Sequence, residues 1–237
     1  MSESTEAAIQ MSLCIPSLAD SGQLLEFAAD VSSFFAKFPI QYEVLLAAPR
    51  SRILPELPAN FRVVPIKNAN AKAKNLVALF AEARGEYLIA SEIELAIPLS
   101  ECFKILQVFF ADPATDAVFG DRTQKKKKLE NTKYDVHLNK TESFFNGIIH
   151  DKTNWKFEDP FCPVFALKKS TFEMLKPDIA AIGWHLTPEI QRLVQKKNLT
   201  GVEIPLYAGS RMSSKNSSGA PALTEILGLL RFVLFRI

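Results

Sequence analysis

Residues 85–98 read GEYLIASEIELAIP, and this stretch decides how the rest of the chain is interpreted. Its apolar run, Tyr87–Ala90, is typical of a buried strand in a parallel sheet. Two carboxylates, Glu92 and Glu94, follow the run. Open α/β sheets bind ligands beyond the carboxyl ends of their strands, so the pair is suitably placed for a divalent cation that carries a phosphate. The alternative is two solvated charges at the start of a loop, because Glu-x-Glu alone is a weak pattern.

The segments around this stretch alternate between strand and helix patterns. Up to residue 120, the predicted elements are strands at 11–15, 42–47, 61–66, 87–90 and 117–120, and helices at 23–38, 72–84 and 99–110. Gly85 is expected to end the second of these helices. Such alternation indicates βαβ units and a mostly parallel central sheet flanked by helices. The sequence therefore predicts an α/β domain.

The pattern is less regular after residue 121. Helices are predicted at 144–150, 170–175 and 187–197, and strands at 164–167 and 201–208. Pro188 suits the first turn of the last helix. A Ser- and Gly-rich segment follows, and residues 222–237 are apolar on nearly every side. We expect a main domain at residues 1–212, followed at 213–237 by a flexible basic loop and an amphipathic helix.

Composition excludes several classes of protein. With 237 residues and 48% apolar content, the chain can bury a full core. A net charge of +2 gives no electrostatic argument for binding nucleic acid. Cys14, Cys102 and Cys162 form no Cys-x-x-Cys pattern, so reduced thiols in a cytoplasmic protein are expected. The N-terminus is acidic, so no signal peptide is predicted. No apolar run reaches about 18 residues, so no membrane span is predicted.

Two features suggest contact with a membrane surface. Residues 125–128 are consecutive lysines, and the basic residues of the apolar stretch 222–237 are Arg231 and Arg236. A helix of this length reaches only ~24 Å, short of the ~30 Å hydrocarbon core, so we expect it to lie in the interface. The alternatives are a solvated lysine loop and a core or dimer helix. The expected location is cytoplasmic and peripheral at the inner membrane.

Five segments together resemble one known family. They are SLCIPSLAD (12–20), YEVLLAAPRS (42–51), AEARGEYLIASEIELAIP (81–98), DAVFGDR (116–122) and GWHLTPEIQRLVQKKNLTGVEIPLYAGSRMSSKNS (183–217). Their order resembles the family 2 glycosyltransferases of the GT-A fold, and within them the dolichyl-phosphate (polyprenyl-phosphate) mannosyltransferases. The third segment is similar to ARGDYLLFLDADLQHPP of these enzymes, and the last is the longest and most specific match.

The resemblance implies a fold, an activity and partners. The expected fold is GT-A, and the expected activity is transfer of a sugar from a nucleotide-diphosphate donor. The implied cofactor is Mg²⁺ or Mn²⁺. The acceptor is expected to be a polyprenyl phosphate at the cytoplasmic membrane face; a soluble sugar or protein acceptor is the alternative.

The resemblance also assigns residues to the donor site. Glu92 and Glu94 take the places of the two aspartates in the family's D-x-D motif, which hold the metal and the nucleotide-sugar diphosphate. Pro16 and Asp20 lie in the first motif, where Asp20 stands in the place of the family's glutamate. These two residues are therefore also expected to bind the donor.

Four further residues are implied in phosphate binding and catalysis. Arg122 takes the place of an arginine that contacts phosphate, with an ion pair to Asp121 as the alternative. Glu189 occupies the position of the acidic residue on the late helix. Arg211 and Lys215 match the basic pair that clamps the donor diphosphate and the lipid phosphate; they could equally be linker charges. Such cations stabilise charge that builds on the leaving diphosphate.

The sequence also departs from the family. Ala48 and Pro49 replace the nucleotide-binding Asp-Asp, Ala96 replaces a polar side chain, and residues 67–74 (KNANAKAK) lack glycine. Both D-x-D aspartates have become glutamates. These departures favour the alternative of an inactive pseudo-glycosyltransferase that acts as a binding or scaffolding module. We interpret His185 as structural rather than as a general base, because a phosphate acceptor is already anionic.

Overall fold

The computed structural model describes residues 8–18, 20–69, 71–93, 97–123, 140–152, 154–180 and 186–206. Within these ranges the chain forms one seven-stranded sheet with helices on both faces, so the predicted α/β architecture is confirmed. The lysine run at 125–128 and the stretch at 222–237 lie outside the described residues. The division at residue 212 stays a prediction.

The sheet has the strand order β3-β2-β1-β4-β6-β5-β7. Its strands are β1 (Met11–Ile15), β2 (Tyr42–Pro49), β3 (Phe61–Ile66), β4 (Tyr87–Ala90), β5 (Ala117–Asp121), β6 (Phe165–Lys168) and β7 (Gly201–Pro205). Neighbouring strands are parallel, except that β6 runs antiparallel between β4 and β5. The mostly parallel sheet is therefore confirmed, and the other six strands bring their carboxyl ends to one edge.

Six α-helices lie among the described residues. They are α1 (Ser21–Phe35), α2 (Lys72–Glu82), α3 (Leu99–Ala111), α4 (Lys140–Lys152), α5 (Lys169–Leu175) and α6 (Leu186–Lys196). Helix α1 begins earlier than predicted because Asp20 caps it by accepting the N–H of Gln23 at 2.9 Å. It also ends earlier, ahead of Pro39. No helix in the described part of the chain is both long and apolar enough to span a bilayer.

The helices bury the sheet from both sides. One apolar layer packs α1 and α3 on the sheet, with Phe27 and Phe109 among its buried side chains. The other packs α2, α5 and α6 and includes Phe80. Alternate residues of a strand supply the two layers: Leu13 enters the first and Cys14 the second. Two covered faces explain why the strands are almost continuously apolar.

Gly85 has a different role from the predicted one. Helix α2 already ends at Glu82, with Ala83 in an extended conformation as its cap. A Cβ on Gly85 would lie 2.6 Å from the carbonyl carbon of Met11 and 2.6 Å from the nitrogen of Ser12. Glycine is needed here because two backbones approach closely, and the prediction of a helix stop was wrong.

A buried carboxylate joins the strands near the amino-terminal edge of the sheet. Glu43 of β2, with 5% of its side chain exposed, accepts the hydroxyl of Ser12 at 2.7 Å and the N–H of Arg84 at 2.6 Å. Nε and Nη2 of Arg62 donate to its other oxygen at 3.0 Å each. The Ser12 hydroxyl in turn accepts the N–H of Gly85 at 2.8 Å. This network connects β1, β2, β3 and the turn before β4.

Candidate functional site

The carboxyl-terminal edge of the sheet is organised by a buried asparagine. Asn75 of α2 is 4% exposed, and its Nδ2 donates to the carbonyl oxygens of Pro16 at 3.2 Å, Asn68 at 3.1 Å and Ala69 at 3.3 Å. These bonds connect the exit of β1 to the loop that leads into α2. The first turn of α2 is therefore held at the edge where parallel strands end.

Glu92 lies at this edge, just past β4. Ser91 is buried, and its N–H donates to the carbonyl oxygen of Cys14 at 3.1 Å. Glu92 is partly exposed, with 31% of its side-chain surface accessible. Lys72, the first residue of α2, points its Nζ to Glu92 Oε1 at 3.5 Å. The first predicted donor-site carboxylate is thus accessible and paired with an ammonium group.

The chemistry of Glu92 fits the predicted cation site. Its carboxylate is a hard oxygen ligand, which Mg²⁺ and Mn²⁺ prefer. The described residues contain no cluster of three His, Cys, Asp or Glu side chains that could hold a metal ion. Mg²⁺ needs no such cluster in nucleotide sites, where one or two carboxylates act together with substrate phosphates. Glu94 lies outside the described residues.

The other two predicted donor-site residues lie at the end of β1. Pro16 is buried, and its carbonyl oxygen accepts from Asn75 at 3.2 Å. Asp20 is exposed, and its Oδ1 accepts the N–H of Gln23, so the contact that the structure assigns to Asp20 is the cap of α1. Both residues share the sheet edge with Glu92, and their part in binding stays a prediction.

The end of β2 carries no polar side chain at residues 48 and 49. Ala48 is 1% exposed and lies beside Pro65 of β3, and Pro49 lies beside Ile66. A methyl group and a pyrrolidine ring accept no hydrogen bond from a base or a ribose. The end of β2 therefore offers no side-chain hydrogen-bond acceptor at residues 48 and 49.

Arg122 follows β5, and its guanidinium binds Asp159. Nε and Nη2 of Arg122 donate to the two carboxylate oxygens at 2.7 and 3.1 Å, and its N–H also donates to Asp159 at 3.0 Å. Glu142 lies 3.7 Å from Nη2. Burial alone would lower the pKa of Arg122, but the hydrogen bonds and charge of Asp159 raise it above its ordinary value. The ion pair therefore forms with Asp159, and the predicted alternative partner, Asp121, was wrong.

Among the described residues, negative charge exceeds positive charge around this ion pair. Glu203 of β7 accepts the N–H groups of Glu158 at 2.7 Å and Asp159 at 2.9 Å. Burial raises the pKa of Glu203 to about 7, and the charges of Asp121 and Asp159 act in the same direction, although the two hydrogen bonds oppose it. Asp121 Oδ2 is buried without a hydrogen-bond partner among the described residues. A phosphate beside Arg122 would need further cations.

The late acidic residue is buried at the start of α6. Glu189 is 4% exposed, and its Oε1 accepts the N–H of Ala180 at 2.9 Å. The beginning of α6 at Leu186 agrees with the prediction made from Pro188. His185, Arg211 and Lys215 lie outside the described residues, so their roles stay predictions.

Sequence reasoning missed Lys72, Asn75, Asp159 and Glu203 as site-forming residues. A local signal existed for the first two: α2 opens with lysines, and Asn75 interrupts its apolar side. No local signal marks Asp159, because its partner Arg122 is distant in sequence.

The cysteines are unsuited to nucleophilic catalysis. All three thiols are buried. Burial raises the pKa of the Cys102 thiol to about 12 and raises the pKa values of the Cys14 and Cys162 thiols as well. These thiols are part of the core.

A cleft of about 310 Å³ lies away from the predicted donor site. Lys156, Gln195, Gly201 and Glu203 are among its lining residues. Gly201 begins β7, so the cleft opens near the amino-terminal edge of the sheet, opposite to the edge that carries Glu92.

Sequence comparison identifies no relative. No protein-family model matches the chain, and no curated protein is significantly similar to it in sequence.

Solved structures share its architecture at low identity. Glucosyl-3-phosphoglycerate synthase from Mycobacterium tuberculosis, in complex with Mn²⁺ and UDP-glucose, has a TM-score of 0.54 and 12% identity over 96% of this chain and 77% of that protein. The structure of the same synthase in complex with phosphoglyceric acid has a TM-score of 0.54 and 9% identity, over 86% of this chain and 73% of that protein. A mannosyltransferase from Pyrobaculum calidifontis, in complex with GDP-mannose and Mn²⁺, gives 0.51 and 14% over 89% of this chain and 59% of that protein. The predicted GT-A fold is confirmed.

Proposed function

We propose that this chain is a glycosyltransferase that moves a sugar from a nucleotide-diphosphate donor to an acceptor. The observation that carries the proposal is the position of Glu92. It is a partly exposed carboxylate at the carboxyl end of β4, beside the first turn of α2, in a GT-A sheet. Ligands of open α/β sheets bind at this edge. The similar synthase and mannosyltransferase, which contain Mn²⁺ and a nucleotide sugar, support the same assignment.

The donor-binding roles fall to four residues. We propose that Glu92 and Glu94 hold Mg²⁺ or Mn²⁺, and that Pro16 and Asp20 line the donor site at the end of β1. The bound cation supplies positive charge to the diphosphate leaving group. The carbonyl oxygen of Pro16 is already fixed by Asn75, which keeps this part of the site preorganised.

Phosphate stabilisation and catalysis fall to Arg122, Glu189, Arg211 and Lys215. We propose that Arg211 and Lys215 add the positive charge that the acidic surroundings of Arg122 require. Arg122 itself holds the segment around Asp159 in place through its bidentate ion pair. Glu189 accepts the N–H of Ala180, and this contact holds its carboxylate at the start of α6, where we propose its catalytic role.

We propose a polyprenyl phosphate as the acceptor. The support is the resemblance of residues 183–217 to the mannosyltransferases of lipid phosphates, and the apolar, basic stretch at 222–237 that suits an interface. Transfer of a labelled sugar to vesicles containing polyprenyl phosphate tests this part. Transfer to soluble acceptors alone would contradict it.

Calorimetric titration with UDP, GDP and CDP, each with and without Mn²⁺, tests the donor site. We expect one nucleotide to bind only with Mn²⁺, and we expect Glu92→Ala or Glu94→Ala to abolish that binding. Glu86→Ala is the matched control, because Glu86 is an exposed glutamate at the opposite end of β4. Equal binding by the control and the Glu92 variant would contradict the proposed site.

The second candidate function is a non-catalytic binding or scaffolding module. Ala48 and Pro49 favour it, because the end of β2 offers no side-chain acceptor to a nucleoside. A folded protein that binds none of the three nucleotides would support this candidate over the enzyme.

A further inference from the structure

Lys72 stands at an unfavourable position for the helix that carries it. Helix α2 begins with Lys72, its first turn contains no acidic residue, and its N-cap Ala71 makes no side-chain hydrogen bond. Cations destabilise the amino-terminal end of a helix, where the dipole is positive and acidic or capping side chains are preferred. A break of such a local rule is typical of a functional site. The position of Lys72 therefore calls for an explanation outside the helix.

The contact with Glu92 supplies that explanation. The ammonium of Lys72 lies 3.5 Å from Glu92 Oε1, across 20 residues of sequence. Asn75, one turn further along α2, fixes the start of the helix through three carbonyl oxygens. The backbone of Lys72 is thus held near the end of β4, and only its side chain can move away from Glu92.

An ammonium group and a divalent cation compete for one carboxylate. Both are positive, so a metal ion on Glu92 is repelled by Lys72 unless the side chain turns away or a new anion joins the site. A nucleotide diphosphate is such an anion. Its charge attracts both cations and removes the repulsion between them.

We propose that Lys72 is a positioning residue that couples the two components of the donor site. With the site empty, its ion pair with Glu92 weakens binding of the divalent cation alone. When the nucleotide diphosphate binds, its negative charge removes the repulsion between Lys72 and the metal ion, so cation and nucleotide bind cooperatively. The coupling is reciprocal: each ligand raises the affinity for the other by the same factor. This inference rests on the proposed donor site.

Mn²⁺ binding followed by electron paramagnetic resonance tests the inference without any activity assay. We expect Lys72→Met to bind Mn²⁺ alone about threefold more tightly than the unaltered protein, as for removal of a partly exposed ion pair. With UDP or GDP present, the difference should shrink or reverse. Lys74→Met is the matched control, because Lys74 is an exposed lysine in the same helical turn. It should behave as the unaltered protein.

A double-mutant cycle shows whether the effect passes through Glu92. Glu92→Gln should weaken Mn²⁺ binding, and adding Lys72→Met to it should not restore that binding; a gain like that of Lys72→Met alone would show that the effect does not pass through Glu92. Methionine is a good helix former, and circular dichroism checks that each variant is folded.

The outcomes separate the two proposals. If the unaltered protein binds Mn²⁺ with a nucleotide but Lys72→Met gains no affinity for Mn²⁺ alone, the coupling role is wrong and the donor site survives. An equal gain in Lys74→Met also overturns it, because general surface charge then explains the effect. If the folded protein binds no Mn²⁺ with UDP, GDP or CDP, the donor site fails and the coupling fails with it.

Discussion

Two glutamates at opposite edges of the same sheet have contrasting surroundings. Glu43 is buried, and both its oxygens accept hydrogen bonds, from Ser12, Arg84 and Arg62. Glu92 is partly exposed, and its ion pair with Lys72 is long at 3.5 Å. Each follows from its place in the sheet: Glu43 lies near the start of β2 beside the turn before β4, whereas Glu92 lies past the carboxyl end of β4, where open α/β sheets bind their ligands.

The difference separates stability from function. A carboxylate whose oxygens are satisfied by the fold cannot accept a metal ion without losing those bonds, and it fixes three strands and a turn instead. A carboxylate whose ion pair is long and partly solvated, as that of Glu92 with Lys72 is, contributes little to folding. It can exchange that partner for a ligand at small cost. Replacement of Glu43 is therefore expected to reduce stability, whereas replacement of Glu92 is expected to reduce ligand binding and to leave stability almost unchanged.

The largest expected effect is loss of the buried carboxylate. Glu43→Ala should lower the free energy of unfolding by about 3 kcal/mol, because it leaves Arg62 Nε and the N–H of Arg84 without their acceptor, although Arg62 Nη2 retains the carbonyl oxygen of Glu82. Glu92→Ala should change it by less than about 0.5 kcal/mol. Urea denaturation of both variants measures the difference. Similar losses in the two variants would show that the edges are not distinguished in this way.

The next effect concerns the turn that adjoins the Glu43 network. Gly85→Ala should lower the free energy of unfolding by about 2 kcal/mol, because its Cβ would meet backbone atoms of β1 at 2.6 Å. Gly147→Ala is the matched control: Gly147 lies in α4 with no atom within 4 Å of an added Cβ. It should gain up to about 1 kcal/mol from helix propensity.

Thermal unfolding of the two alanine variants, side by side, checks this prediction. A stabilised Gly85→Ala would mean that β1 moves away at no cost, and the close approach would then not explain the glycine.

Much of the fold could be predicted from local patterns. The bounds of β3 and β4 agree with the sequence, because β4 is an apolar run that ends before Ser91 and β3 is a mostly apolar run, interrupted by Arg62, that ends before Lys67. The antiparallel direction of β6 could not be predicted, because its four residues, FALK, read like any buried strand. Gly85 was misinterpreted because sequence shows a glycine after a helix but not the neighbouring backbone of β1.

The candidate site was predictable only where one motif contains it. Glu92 was predicted as a site residue because it lies two residues beyond the buried strand β4. Its partner Lys72 and the Arg122–Asp159 ion pair join separate segments, so only the topology of the sheet brings these side chains together. Sequence correctly placed Arg122 after β5, but the charge that it meets there depends on tertiary structure.

The smallest expected effect is a pH dependence of the free energy of unfolding, and it concerns a third carboxylate, Glu203, beside Glu43 and Glu92. Its hydrogen bonds are satisfied, as for Glu43, yet burial raises its pKa from 4.5 to about 7. The folded state therefore binds the proton more tightly than the unfolded state. The resulting stabilisation is fully present below pH 4.5 and is lost as the pH rises through 7.

We expect the unaltered protein to gain about 1 kcal/mol in unfolding free energy relative to Glu203→Gln between pH 8 and pH 5, after allowance for solvent screening. The variant loses a hydrogen-bond acceptor at every pH. The test is therefore how the difference in unfolding free energy between the two proteins changes with pH, and not how large that difference is. Glu86→Gln, at an exposed glutamate, should give a flat difference. A flat difference for Glu203→Gln too would mean that its two N–H partners outweigh its burial.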